Sequence, residues 1–260
     1  MNRTSIIRIL YKSIAVALLS YGIFYGLSAE FEVSGSLIVL KQSARNLFYH
    51  VPMWFAVIVL MSMSVFHSVR YLQLSDPDRN FEGNLLLIDA KAKESAVIGV
   101  LFNALGLITG SIWSRVAWGV DLPDTDFSAW WVWDPIQVCA LVALLIYLAY
   151  FLLRSSFAEP TQRARTSAVY NIFAFATLIP LFFIIPKMLD GLHPTAQKGP
   201  IIFNKSDLGN NFRMLLYPTM FGFIMLGVWM FELQSRYHSV RTRFEAWQAD
   251  KEWESTKGKA

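Results

Sequence analysis

The sequence predicts an all-α integral membrane protein, a bundle of six transmembrane helices with a tryptophan-rich outer loop and both termini in the cytoplasm. Three observations carry this. Hydrophobic residues make up 55% of the 260 positions and charged residues only 16%, against about a quarter charged in soluble domains. The mean hydropathy is +0.40. The apolar residues fall in long blocks with polar segments between them, as spanning helices do.

The blocks run over about 6–27, 51–69, 95–113, 136–153, 168–185 and 214–231. Each approaches the ~20 residues that cross a hydrocarbon layer of about 30 Å, and within that layer the backbone must satisfy itself, which dictates helices. The first block follows Arg3, Arg8 and Lys12 and has the charge pattern of a signal peptide. A cut after Ala29 would leave bulky Leu27 where a small residue is required, so a retained helix is expected. Pro180 and Pro218 are expected to kink the fifth and sixth spans. Residues 1–235 read as one six-helix membrane domain, and 236–260 as a polar cytoplasmic tail that continues the last helix before fraying.

Lysine and arginine set the orientation. Sixteen of the 23 lie in the segments at 1–12, 70–93, 154–165 and 236–259, and seven in the alternate set. The first set is expected inside, which leaves 28–50, 113–135 and 186–213 as outer segments. The net charge of +4 does not argue for nucleic acid, because the basic residues border apolar blocks and form no patch interleaved with aromatics. Membrane lipid is the expected surrounding. The single cysteine, Cys139, lies inside an apolar block, which excludes a disulfide framework, a CxxC motif and a thiolate metal site.

Five of the nine tryptophans fall between 113 and 133: Trp113, Trp118, Trp130, Trp131 and Trp133. An interfacial aromatic belt explains Trp113 and Trp229. It explains poorly three indoles within four residues, since belt residues are scattered over many helix ends. A flat aromatic cluster suits a large planar apolar ligand. Asp134, followed by Pro135, is also what a helix N-cap and first-turn proline look like. The two roles are compatible.

Of the four histidines, His67 and His238 fall on the expected inner side and read as structural or solvated. His50 and His193 fall on the outer side, flanking the tryptophan loop, and Pro52 is placed to open the second helix. His50 and His67 are 17 residues apart, about 25 Å along a helix, and cannot share a site. His50 and His193 can, and neutral imidazole is a common haem-iron ligand. Arg45, Arg115, Lys187 and Lys198 lie on the side where propionates would need cations, though each is equally an ordinary interfacial cation.

Trp118-Gly119 followed by Trp130-Trp131-Val132-Trp133-Asp134 resembles the WWD signature of the haem-handling superfamily of cytochrome c maturation. Six spans in a chain this short are similar to its haem exporter protein C type. The resemblance extends over Tyr49-His50-Val51-Pro52, Gly110-Ser111-Ile112-Trp113, the WWD loop and Leu192-His193. It implies a bacterial inner-membrane protein that binds haem b transiently at its periplasmic face, His50 and His193 being axial ligands. Trp118, Trp130, Trp131, Trp133 and Asp134 would form the platform, with Trp113 and Gly119 as further haem-binding residues. It implies delivery to a membrane-anchored haem chaperone, beside ABC-type transporter subunits and a small single-span adaptor, and no catalysis. Two features depart from the family pattern: 120–129 reads as an insertion bearing Asp121, Asp124 and Asp126, and Pro135 and Ile136 replace Ala and Arg. Arg115 is the candidate to replace that arginine at a propionate.

Two other classes compete. A membrane cytochrome b-type electron-transfer subunit would carry histidine pairs within its spans, and none lies mid-span here. A small-solute transporter would carry ionisable or broken-helix sites near the midplane, whereas these spans are almost free of charge, with Asn103 the notable polar residue.

Overall fold

The computed structural model describes residues 3–28, 43–76, 84–118, 130–193 and 210–257. Six helices long and apolar enough to cross a membrane are present, and the described residues contain no strand. They are α1 (Arg3–Ser28), α2 (Leu47–Leu74), α3 (Leu85–Ala117), α4 (Pro135–Ser155), α5 (Pro160–Ile179) and α7 (Asn210–Lys257). A π turn, Pro180–Ile184, and the short α6 (Ile185–Met188) extend α5.

The helices overrun the apolar blocks. Hydropathy marks the thickness of the hydrocarbon layer, while a helix ends only where its terminal polar groups find other partners. At the start of α3, Asn84 accepts a hydrogen bond from the Leu87 amide at 3.1 Å, and at the start of α5 the Glu159 carboxylate accepts one from Thr161 at 2.8 Å. The polar residues after Phe231 continue α7 to Lys257. One expectation is corrected: Pro52 does not open α2. The helix begins at Leu47 after a turn of 3₁₀ helix over 43–46. Buried Phe48 anchors that first turn by stacking on Phe212 at 4.5 Å. His50 therefore sits inside a helix.

Helix α2 is central, packing against α3, α5 and α7, while α1 leans chiefly on α7. Small residues permit the close approaches, as is usual between membrane helices. On α3, a Cβ added at Gly99 would meet Met61 of α2 at 2.8 Å, one at Gly106 the Trp54 ring at 2.9 Å, and one at Gly110 His50 at 2.9 Å. The apolar core between α2, α3, α4 and α5 includes Val57, Leu60, Met61, Phe102 and Tyr147. Toward the other end it becomes polar. Ser64 donates to the Ala92 carbonyl at 2.7 Å, and Asn171 donates to Ser64 and Ser68 at 2.8 Å each. Arg154 holds buried Asp89 with two parallel bonds of 2.7 Å.

The two prolines behave differently. Pro180 has no N–H to give the preceding turn, and the helix widens there into the π turn. Helix α7 continues through Pro218.

Candidate functional site

The site is built at the end of the bundle where α2 and α4 begin and α3 ends. His50 projects from the first turns of α2 onto Gly110 of α3. Its two ring nitrogens are both engaged. Nδ1 lies 3.1 Å from the Thr109 hydroxyl, and Nε2 accepts a hydrogen bond from the Trp54 indole N–H at 3.1 Å. An indole only donates, so Nε2 must carry a lone pair and Nδ1 the proton. That proton goes to Thr109 Oγ1, whose own hydrogen serves the α3 carbonyls of Leu105 and Gly106 at 2.9 and 3.0 Å. His50 is thus a neutral imidazole in a defined tautomer, with the lone pair on Nε2.

His193 approaches from the segment after α6. Its ring centroid lies 6.5 Å from that of His50, with the planes tilted by 44°, and Trp113 packs edge-on to it at 6.0 Å. Burial pushes its pKa down to about 4, against the opposing pull of the Asp134 carboxylate. It too is neutral near pH 7.

Asp134 joins these parts. Its Oδ1 caps α4 by accepting from the Ile136 amide at 2.9 Å. Its Oδ2 reaches across to the amides of Leu192 at 2.7 Å and His193 at 3.2 Å. The expected N-cap is present, and the same carboxylate also fastens the segment that carries His193. Gly191 makes this possible, because a Cβ there would meet Asp134 Oδ2 at 2.6 Å. Spacing in the sequence could not reveal this contact, which spans 59 residues.

Between the histidines lies a largely apolar cleft of about 220 Å³, lined by Trp54, Trp113, Trp118, Gln137, Phe182 and Lys187 among others. Gln137 donates to Ser111 at 3.3 Å, but its Oε1 and the Trp113 indole nitrogen are buried without a protein partner. His50, His193, Trp113 and Trp118 are therefore brought to one cleft. Trp130, Trp131 and Trp133 do not line it. Trp130 is joined to α3 where Ser114 Oγ approaches its carbonyl at 3.3 Å, Trp131 packs edge-on to Trp133 at 6.1 Å, and Trp133 is 76% exposed. Arg115 sits in the last turn of α3, outside the lining, whereas Lys187 is within it. Gly119, Lys198 and the 120–129 segment lie outside the described residues. Sequence reasoning missed Trp54 and Phe182. Trp54 carried a signal, standing four residues after His50 and hence on the same helix face. Phe182 did not, because its position depends on the π turn.

Comparison with known proteins gives this cleft its context. The family model described as cytochrome C assembly protein matches residues 1–193. The chain belongs to this cytochrome c assembly family. Among curated relatives, heme exporter protein C of Haemophilus influenzae is 25% identical over 224 residues, covering 85% of this chain and 80% of that protein. The protein of the same name from Bradyrhizobium diazoefficiens is 28% identical over 207 residues, covering 79% and 70%. That of Paracoccus denitrificans is 27% identical over 155 residues, and the match spans 60% of each chain. The resemblance read from the WWD motif thus holds across much of the sequence, and with its six spanning-length helices this family member is a multi-pass protein of the bacterial inner membrane.

Proposed function

We propose that this protein handles haem in cytochrome c biogenesis as a binding and transfer module, holding haem b between His50 and His193 at the periplasmic face. The observation that supports this reading is the 6.5 Å between the two imidazole centroids. Metal–imidazole bonds are about 2 Å long, so two rings on opposite faces of one iron have centroids about 6 Å apart. The cleft is smaller than the ~300 Å³ of ordinary ligand pockets. The macrocycle therefore rests only partly within it, against Trp113 and Trp118, and extends toward the indoles of Trp130, Trp131 and Trp133. Lys187, on the cleft wall, takes the propionate role first assigned to Arg115. Asp134 acts through His193, holding its backbone, and touches no ligand. The receiver is a membrane-anchored haem chaperone that docks on the exposed tryptophans, with ABC-type transporter subunits and a single-span adaptor alongside.

The test is haem content and absorption spectrum of the purified protein with His50→Ala, His193→Ala and both. Each single change is expected to abolish the low-spin, two-histidine spectrum, and the double change to leave little haem. Retention of that spectrum by either single variant would remove that histidine from the ligand set. A quinone-reducible haem that stays bound through repeated redox cycles would favour an electron-transfer subunit instead.

A further inference from the structure

The atom that His50 would offer to iron is already occupied. Its Nε2 accepts the Trp54 indole N–H at 3.1 Å, and its Nδ1 is held by Thr109 at 3.1 Å. The Trp54 indole is seated by design of the surrounding helices. Gly106 leaves room for its ring, which a Cβ would meet at 2.9 Å, and Phe182 of the π turn packs edge-on to it at 5.8 Å. The indole also lines the cleft itself, so it lies where a ligand between the two histidines would press.

We propose that Trp54 is an internal competitor for His50: its indole N–H caps Nε2 in the haem-free protein, yields when iron binds there, and recaptures the nitrogen as haem leaves. The proposal rests on the assignment of His50 as an iron ligand. In the exchange the Fe–Nε2 bond forms as the N–H···Nε2 bond breaks, and the indole keeps its proton throughout. Nδ1–H remains on Thr109, so the tautomer needed for coordination is preserved. A protein that must release its cargo gains from this arrangement. The hydrogen bond recovered on release offsets part of the coordination lost, so affinity is held below what two histidines alone would give. One hydrogen bond of ordinary net strength corresponds to about a three- to tenfold change in affinity. Trp54 is a positioning residue that acts through His50.

Two variants of the full-length protein in detergent test this. Trp54→Phe removes the donor and shrinks the ring. Replacement of Trp54 by benzothienylalanine, with sulfur in place of N–H, removes the donor and keeps the shape. Haem affinity is measured by competition with apomyoglobin, alongside the absorption spectrum. Both variants are expected to bind haem about three- to tenfold more tightly with the two-histidine spectrum intact. Unchanged or weaker binding in the benzothienylalanine protein overturns the proposal. His50→Ala runs in parallel: if it keeps the low-spin spectrum, the ligand assignment itself fails, and if it loses the spectrum while the Trp54 variants change nothing, only the competitor role fails. A second measurement needs no variant. Nitrogen NMR of histidine-labelled, haem-free protein should show His50 Nε2 unprotonated and hydrogen-bonded, and a protonated Nε2 overturns the proposal directly.

Discussion

His50 shows how closely a single side chain can be specified by its neighbours. Thr109 fixes its proton, Trp54 engages its lone pair, and Gly110 supplies the space in which the ring lies. A methyl group at Gly110 would fall 2.9 Å from the ring carbon Cε1, too close for any real contact. Gly110→Ala is still expected to fold, because alanine favours a helix interior over glycine by about 1 kcal/mol. It should nevertheless weaken haem binding by about tenfold through displacement of His50, as read by haem titration together with thermal stability. Undiminished binding would show that the ring has slack to move. His50 and its candidate role could be read from the sequence, since a histidine before an apolar block is visible there. The indole that occupies its nitrogen could be placed on the same helix face but not bonded, because bond geometry depends on how far α3 lets α2 approach.

At the scale of elements, two polar links tie helices that the apolar core alone would leave free to slide. Asp134 connects the start of α4 to the segment carrying His193, and Asp89 connects α3 to Arg154 of α4. Asp134→Asn keeps one acceptor oxygen where two are needed, and its amide nitrogen cannot accept. It should cost about 1 kcal/mol, the value of a helix cap, and speed hydrogen exchange at Leu192 and His193 or at Ile136, whichever link is given up. Asp134→Ala should expose both. Exchange unchanged at all three amides would refute the clamp. The Asp89–Arg154 pair follows a different rule, because a buried charge left alone costs more than the pair contributes. Arg154→Leu alone is expected to destabilise by about 3–5 kcal/mol. Adding Asp89→Leu should recover most of that loss, measured by denaturation in detergent as a double-mutant cycle. The cap at Asp134 was legible from Asp-Pro before an apolar run. Its second link, and the ion pair across 65 residues, were not, since both depend on which helices become neighbours.

At the scale of the whole molecule, the six spans were legible because the membrane imposes one strong demand, a continuous apolar stretch of fixed length. The lengths of α2 and α3 were not, since these helices run well past their apolar blocks without any hydropathy signal, whereas the polar continuation of α7 was expected. The tryptophans illustrate the same division. Their clustering was visible, while the sorting of Trp113 and Trp118 into the cleft and Trp133 onto the surface comes from where α3 stops and α4 starts.

Orientation is the remaining property of the whole molecule, and the charge pattern predicts it. The end bearing Arg154, Arg163 and Arg165 belongs to the set of segments that holds sixteen of the 23 basic residues, so it should face the cytoplasm and the His50 cleft the periplasm. The chain is well suited to a direct test, because its single cysteine, Cys139, is buried and can be replaced by serine. In that background Trp133→Cys, at a position 76% exposed, is expected to react with a membrane-impermeant maleimide in intact spheroplasts. Ser156→Cys, exposed just beyond the opposite end of α4, should react only after lysis. The reverse pattern would put the cleft on the cytoplasmic side. The receiving partner proposed above, which docks at the periplasmic face, would then have to be a different one.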